Sequence, residues 1–143
     1  MASIKLGKKE IPLKLTLMAM KNIEKQIGAD ISKIGEYIQN AGTTTDKLIN
    51  VVGIIRHMAN GYVAKHNADV DFGIIEGEKL NFYDEELFLN VFDVSDFEQL
   101  QNALYETISS DTTFNVPDGV KLKNSEEVDV VLQEIEAEKS KNE

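Results

Sequence analysis

Between Leu48 and Val63, apolar side chains recur at spacings of three and four: Leu48, Val51, Val52, Ile55, Met58, Ala59 and Tyr62, with Ile49, Ile54 and Val63 on the flanks. Residues at these spacings share one face of a helix, and this face is unusually broad. A stripe that wide cannot be covered by a single neighbour. It predicts a central helix contacted from several sides. Gly53 inside it costs about 1 kcal/mol of helix propensity relative to Ala, and a close helix crossing would account for its presence.

The flanking sequence supplies the neighbours. Ser3 to Leu6 and Glu10 to Leu15 alternate apolar and polar residues around Gly7-Lys8-Lys9. This pattern predicts a β-hairpin with Ile4, Leu6, Ile11, Leu13 and Leu15 facing inward. Pro12 has no N–H to donate, so its nitrogen must face away from the partner strand. Thr16 is placed to cap a first helix with Leu17, Met20, Ile23 and Ile27 inward, and Gly28 to stop it. Asp30 caps a second helix carrying Ile31, Ile34 and Ile38. Asn40 to Thr45 reads as a break before the central helix. Past His66, the stretch Asn67 to Phe82 has glycines and no helical period, and reads as a loop. Asp84-Glu85-Glu86 opens a short helix with Leu87, Phe88 and Val91 inward. Ser95-Asp96-Phe97-Glu98 fits a capping box ahead of Phe97, Leu100, Leu104 and Ile108. Ser109 to Asn124, with Pro117 and Gly119, reads as a linker. Ser125 then caps a last amphipathic helix with Val128, Val131, Leu132 and Ile135 on one face.

The expected fold is mainly α (α+β): a short N-terminal β-hairpin followed by a bundle of about five helices, with a flexible C-terminal helical tail. Residues 1–112 form a helical domain with the hairpin. Residues 113–143 form a linker and an acidic C-terminal helix. That helix is too short to be stable alone in water. It must fold back on the domain, dock onto a partner or stay frayed.

Chemistry is harder to find than surface. The 143 residues include no cysteine and two histidines, which excludes disulfides and thiolate metal sites. The motifs of zinc peptidases, dinucleotide and phosphate loops, and nucleophile elbows are all missing. His57 reads as a boundary residue of the central helix. His66 with Asp69 and Asp71 is the one candidate metal cluster, but the later ligand positions of a calcium loop do not follow. The carboxylate pairs Glu85/Glu86, Asp93/Asp96 and Glu126/Glu127 sit at predicted helix starts, where negative charge favours the macrodipole. The chain therefore reads as non-enzymatic and without a cofactor.

The charge of −10 is unevenly spread. Residues 1–75 carry ten Lys/Arg against seven Asp/Glu, and residues 76–143 five against eighteen. Such an acidic half is a poor surface for nucleic acid. It suits solubility, a basic partner, or head-to-tail stacking into a homo-oligomer. No membrane span is expected, because the longest apolar stretch is too short and too polar. Nor does the N-terminus look like a signal peptide, so a soluble cytoplasmic protein is expected.

The order of these elements resembles a known family. A hairpin running through Gly7-Lys8-Lys9-Glu10-Ile11-Pro12-Leu13-Lys14-Leu15-Thr16-Leu17 leads into a helix ending near Ile27-Gly28-Ala29-Asp30. A central helix (Leu48 to Val63), an acidic capped helix (Tyr83 to Val91) and a Val94-Ser95-Asp96-Phe97 entry to the next helix follow. This pattern, across residues 3–110, is similar to the tail assembly chaperones of long-tailed (siphovirus-type) bacteriophages, although the Asn67–Phe82 loop is longer than in that pattern. The resemblance implies a non-enzymatic protein of the host bacterial cytoplasm, absent from the mature virion. It would bind the tape measure protein, help recruit tail tube subunits, and match the shorter of two products made by frameshifting. A phage structural protein retained in the virion, such as a head–tail connector or tail component, and an acidic regulatory protein-binding module are the alternatives. A chaperone for a helical client needs exposed apolar groups rimmed by charge. Ile49, Ile54, Val63, Val128, Val131, Leu132 and Ile135 are the candidate protein-binding residues, and the sequence leaves open whether each serves the interface or the core.

Overall fold

The computed structural model describes residues 2–112. Strands β1 (Ser3–Leu6) and β2 (Lys9–Pro12) form an antiparallel hairpin closed by Gly7-Lys8, in the register Ile4↔Ile11 and Lys5↔Glu10. Gly7 has φ 59°, the left-handed backbone that a two-residue hairpin loop favours. Helices α1 (Leu17–Ile27), α2 (Ile34–Gln39), α3 (Thr44–Asp71), α4 (Glu85–Val91) and α5 (Phe97–Thr112) follow, with single 3₁₀ turns at Ile31–Lys33 and Val94–Asp96. The expected architecture of a hairpin and five helices is what the described residues adopt.

Helix α3 is the axis of the bundle, touching α1, α2, α4, α5 and β2. Val51, Val52, Ile54, Ile55, Met58, Ala59 and Val63 are all buried on it. Ile23, Ile34, Ile38, Leu100 and Leu104 pack around them, together with Ile4, Ile11 and Leu13 from the hairpin. The close crossing expected at Gly53 exists. A Cβ there would stand 2.9 Å from Gln26 Oε1 of α1. Two turns on, a Cβ on Gly61 would lie 2.3 Å from the carbonyl oxygen of Lys14 and 3.1 Å from Ala19 Cβ. Since Ala19 faces Gly61 and Gln26 faces Gly53, α1 runs antiparallel to α3.

The hairpin is tied to α5 by side chains. Gln99 accepts from Lys5 N (2.7 Å) and donates to Lys5 O (3.2 Å), while Asp111 Oδ2 accepts from Leu15 N at 2.7 Å. Both backbone groups of Lys5 thus face away from β2. Two residues back along β1, the Ser3–Pro12 pair has the same orientation, so the missing N–H of Pro12 costs no ladder bond.

Caps at Thr16 and Gly28 (φ 71°) bound α1 as expected, and Asp30 caps the turn before α2. Five readings need correction. Leu17 is 86% exposed, because it is the first residue of α1 and projects past the core; Ala19 takes the inward place. The central helix does not stop near His66 but continues to Asp71, since Asn67, Ala68 and Val70 fit a helix whose last turns are half solvated. In α4, Leu87 and Val91 are exposed, and Phe88 points inward with Phe92 of the following turn. The capping box sits two residues earlier than read. Asp93 accepts from Ser95 N, Asp96 accepts from Asp93 N, and a 3₁₀ turn precedes α5. Helix α5 runs to Thr112, four residues into the predicted linker.

Candidate protein-binding surface

The residues between α3 and α4 are the site that the sequence left as an unstructured loop. The chain reverses at the end of α3 through bonds from Gly73 N to Val70 O and from Ile74 N to Asp69 O (2.8 Å), with Gly73 at φ 75°. It then runs back along the helix. Two asparagines seven residues apart on α3, and so on one face, hold it there. Asn67 donates to Leu80 O (3.0 Å) and accepts from Leu80 N (2.8 Å). Asn60 does the same for Tyr83, at 2.9 and 2.8 Å. His66 Nε2 lies 2.8 Å from Glu78 O, and Lys79 pairs with Asp71 at 2.8 Å.

These clamps resemble rungs of a β-ladder in which side-chain amides replace the second strand. Because the backbone groups of Leu80 and Tyr83 and the carbonyl of Glu78 are held by α3 side chains, the segment is held without an apolar anchor at those points. Its large side chains are left outward. Phe72 is 83% exposed and Phe82 61%, with Ile74, Ile75 and Leu80 also exposed. Leu87, Leu89 and Val91 of α4 continue the exposed apolar set. Asp71, Glu76, Glu78, Asp84, Glu85 and Glu86 accompany Lys79 along this stretch, giving the apolar arm an acidic fringe. The arm rejoins the core at Tyr83, whose ring lies 5.2 Å from Phe88; Phe88 in turn meets Phe92 edge to face at 5.2 Å.

The sequence-derived candidates fare unevenly. Ile49 is 41% exposed and available to a partner. Ile54 and Val63 are not: they are 0% and 2% exposed, because α3 is packed on nearly every side and its flank positions are core. Val128, Val131, Leu132 and Ile135 lie outside the described residues. His66, Asp69 and Asp71 do not converge on a common point. His66 is committed to Glu78 O, Asp69 to Lys65 (2.7 Å) and Asp71 to Lys79. Among the described residues, no three His, Asp or Glu side chains group as metal ligands, and no helix is long and apolar enough to cross a membrane. His57 is held below its ordinary value of 6.5 by burial and by Arg56, with Glu85 opposing.

The arm was missed because its apolar residues follow neither a period of 3.6 nor of 2. The available signal was a concentration of Phe72, Ile74, Ile75, Leu80 and Phe82 around two glycines, opposite two asparagines at heptad spacing. Comparisons with protein-family models, with curated proteins and with solved structures return no match for this chain.

Proposed function

We propose that the protein is a non-enzymatic binding module working as a bacteriophage tail assembly chaperone, which engages the tape measure protein and helps recruit tail tube subunits. One observation carries the binding role. The arm between α3 and α4 is fixed by its backbone while five large apolar side chains face solvent. A soluble protein rarely maintains such a patch without an occupant. A helical client striped with apolar residues would bury them, and the acidic fringe would favour basic residues beside that stripe. The order of hairpin, central helix and acidic helix, which resembles the phage chaperones, supports the more specific assignment.

The test is co-expression with the tape measure protein of the same phage, together with mass spectrometry of purified virions. The tape measure protein should move into the soluble fraction and co-purify with this protein, which should be absent from virions. Retention in the particle would identify a structural component instead. An unchanged insoluble tape measure protein would reject the chaperone role.

A further inference from the structure

A cleft of about 490 Å³ runs between α1 and α3. Apolar Met18 and Phe82 line it together with Lys25 and Arg56, and no carboxylate is among its lining residues. Glu85 acts on His57 of the lining and opposes the lowering of its pKa. Among the described residues, neither Lys25 nor Arg56 forms an ion pair. Arg56 makes one bond, to Tyr83 O at 3.4 Å, and its Nε is buried without a hydrogen-bond partner. A guanidinium offers five donors in a fork that suits carboxylates.

The end of α5 is tied to the chain next to this cleft. Asp111 Oδ2 accepts from Leu15 N, and Thr16, the next residue, lines the cleft. Beyond the twelve residues that follow Thr112, Ser125 opens the stripe Val128, Val131, Leu132 and Ile135, interleaved with Glu126, Glu127, Asp129, Glu134 and Glu136. Twelve extended residues reach up to about 40 Å, ample for a return to the cleft. Three helical turns span about 16 Å, the length of the 11-residue α1. A stripe too short to be stable alone, with acidic flanks, matches an apolar cleft with unpaired cations.

We infer that residues 125–136 dock in the α1–α3 cleft of their own chain, setting the apolar stripe against Met18 and Phe82 and the acidic flank toward Lys25 and Arg56. Phe82 belongs to both cleft and arm, so a partner seated on the arm would displace the segment. That consequence rests on the binding role proposed above, whereas the docking itself is a property of the free protein.

With no native cysteine, spin labels at K21C and Q133C report one distance in the full chain, measured first undiluted and then in excess unlabelled protein. A single narrow, short distance is expected. It should broaden or lengthen in V131D/I135D and, separately, in K25E. Three results would overturn the docking: a broad distribution in the parent, a short distance that vanishes on dilution with unlabelled chain (a second copy as occupant), or a narrow distance indifferent to both variants (a different seat).

Discussion

At the scale of single residues, two glycines on one helix have opposite sensitivities. A methyl group on Gly53 would meet only the end of the Gln26 side chain, whereas one on Gly61 would meet a backbone carbonyl at 2.3 Å. Both substitutions by Ala gain about 1 kcal/mol of helix propensity. Gly61→Ala must also push the Lys14 backbone away, and overpacking of this kind costs ~1–3 kcal/mol. Chemical denaturation should therefore show G61A destabilised by up to about 2 kcal/mol and G53A within about 1 kcal/mol of the parent. His57 gives a pH signature. Because burial depresses its folded-state value, the unfolded chain binds the proton more readily, and stability is lost as pH falls from about 6.5 through the folded-state value. The thermal midpoint should drop across that window, and His57→Gln should flatten the drop. Asp30 and Asp93 are held below 3.8, chiefly by hydrogen bonds from Ser32 and Ser95. Their contribution fades only as pH falls below 3.8, so the two effects separate on the pH axis.

At the scale of elements, the fold uses apolar packing for the bundle and side-chain amides for the extended segments. Ile55 and Phe88 belong to the first class. Each is essentially buried, and truncation to Ala should cost ~2–5 kcal/mol by denaturant titration. Asn60 and Asn67 belong to the second. Replacing both by Ala removes four hydrogen bonds to the return arm and none from the bundle interior. Hydrogen exchange should accelerate at the Leu80 and Tyr83 amides while the centre of α3 stays protected. Equal acceleration across α3 would mean that the arm and the bundle form one cooperative unit. Gln99, which clamps Lys5, shows that the same device seats the hairpin.

At the scale of the whole molecule, stability and the proposed binding role fall on different side chains. The core converges on α3, while the arm presents Phe72, Ile74, Leu80 and Phe82 to solvent. Substituting Phe72 and Ile74 by Ser should leave the thermal midpoint nearly unchanged, yet weaken capture of an apolar helical partner at least tenfold by titration. A large fall in the midpoint would place these residues in the fold rather than the interface. Because an acidic fringe steers a basic partner, association should slow with added salt, whereas the apolar contact should keep dissociation nearly constant.

The sequence alone determined what depends on local periodicity and local caps. It gave the hairpin with its inward Ile4, Ile11 and Leu13, the helix ends at Thr16, Gly28 and Asp84, and the central place of α3. Each follows from spacing along the chain or from a side chain reaching its own backbone within a turn. Tertiary structure decided which side of a helix end is covered, and so exposed Leu17 while burying Ile54 and Val63. It alone decided the arm, because the bonds from Asn60 and Asn67 to Tyr83 and Leu80 join residues 23 and 13 positions apart. No local pattern marks an extended segment whose hydrogen-bonding partner is a helix face.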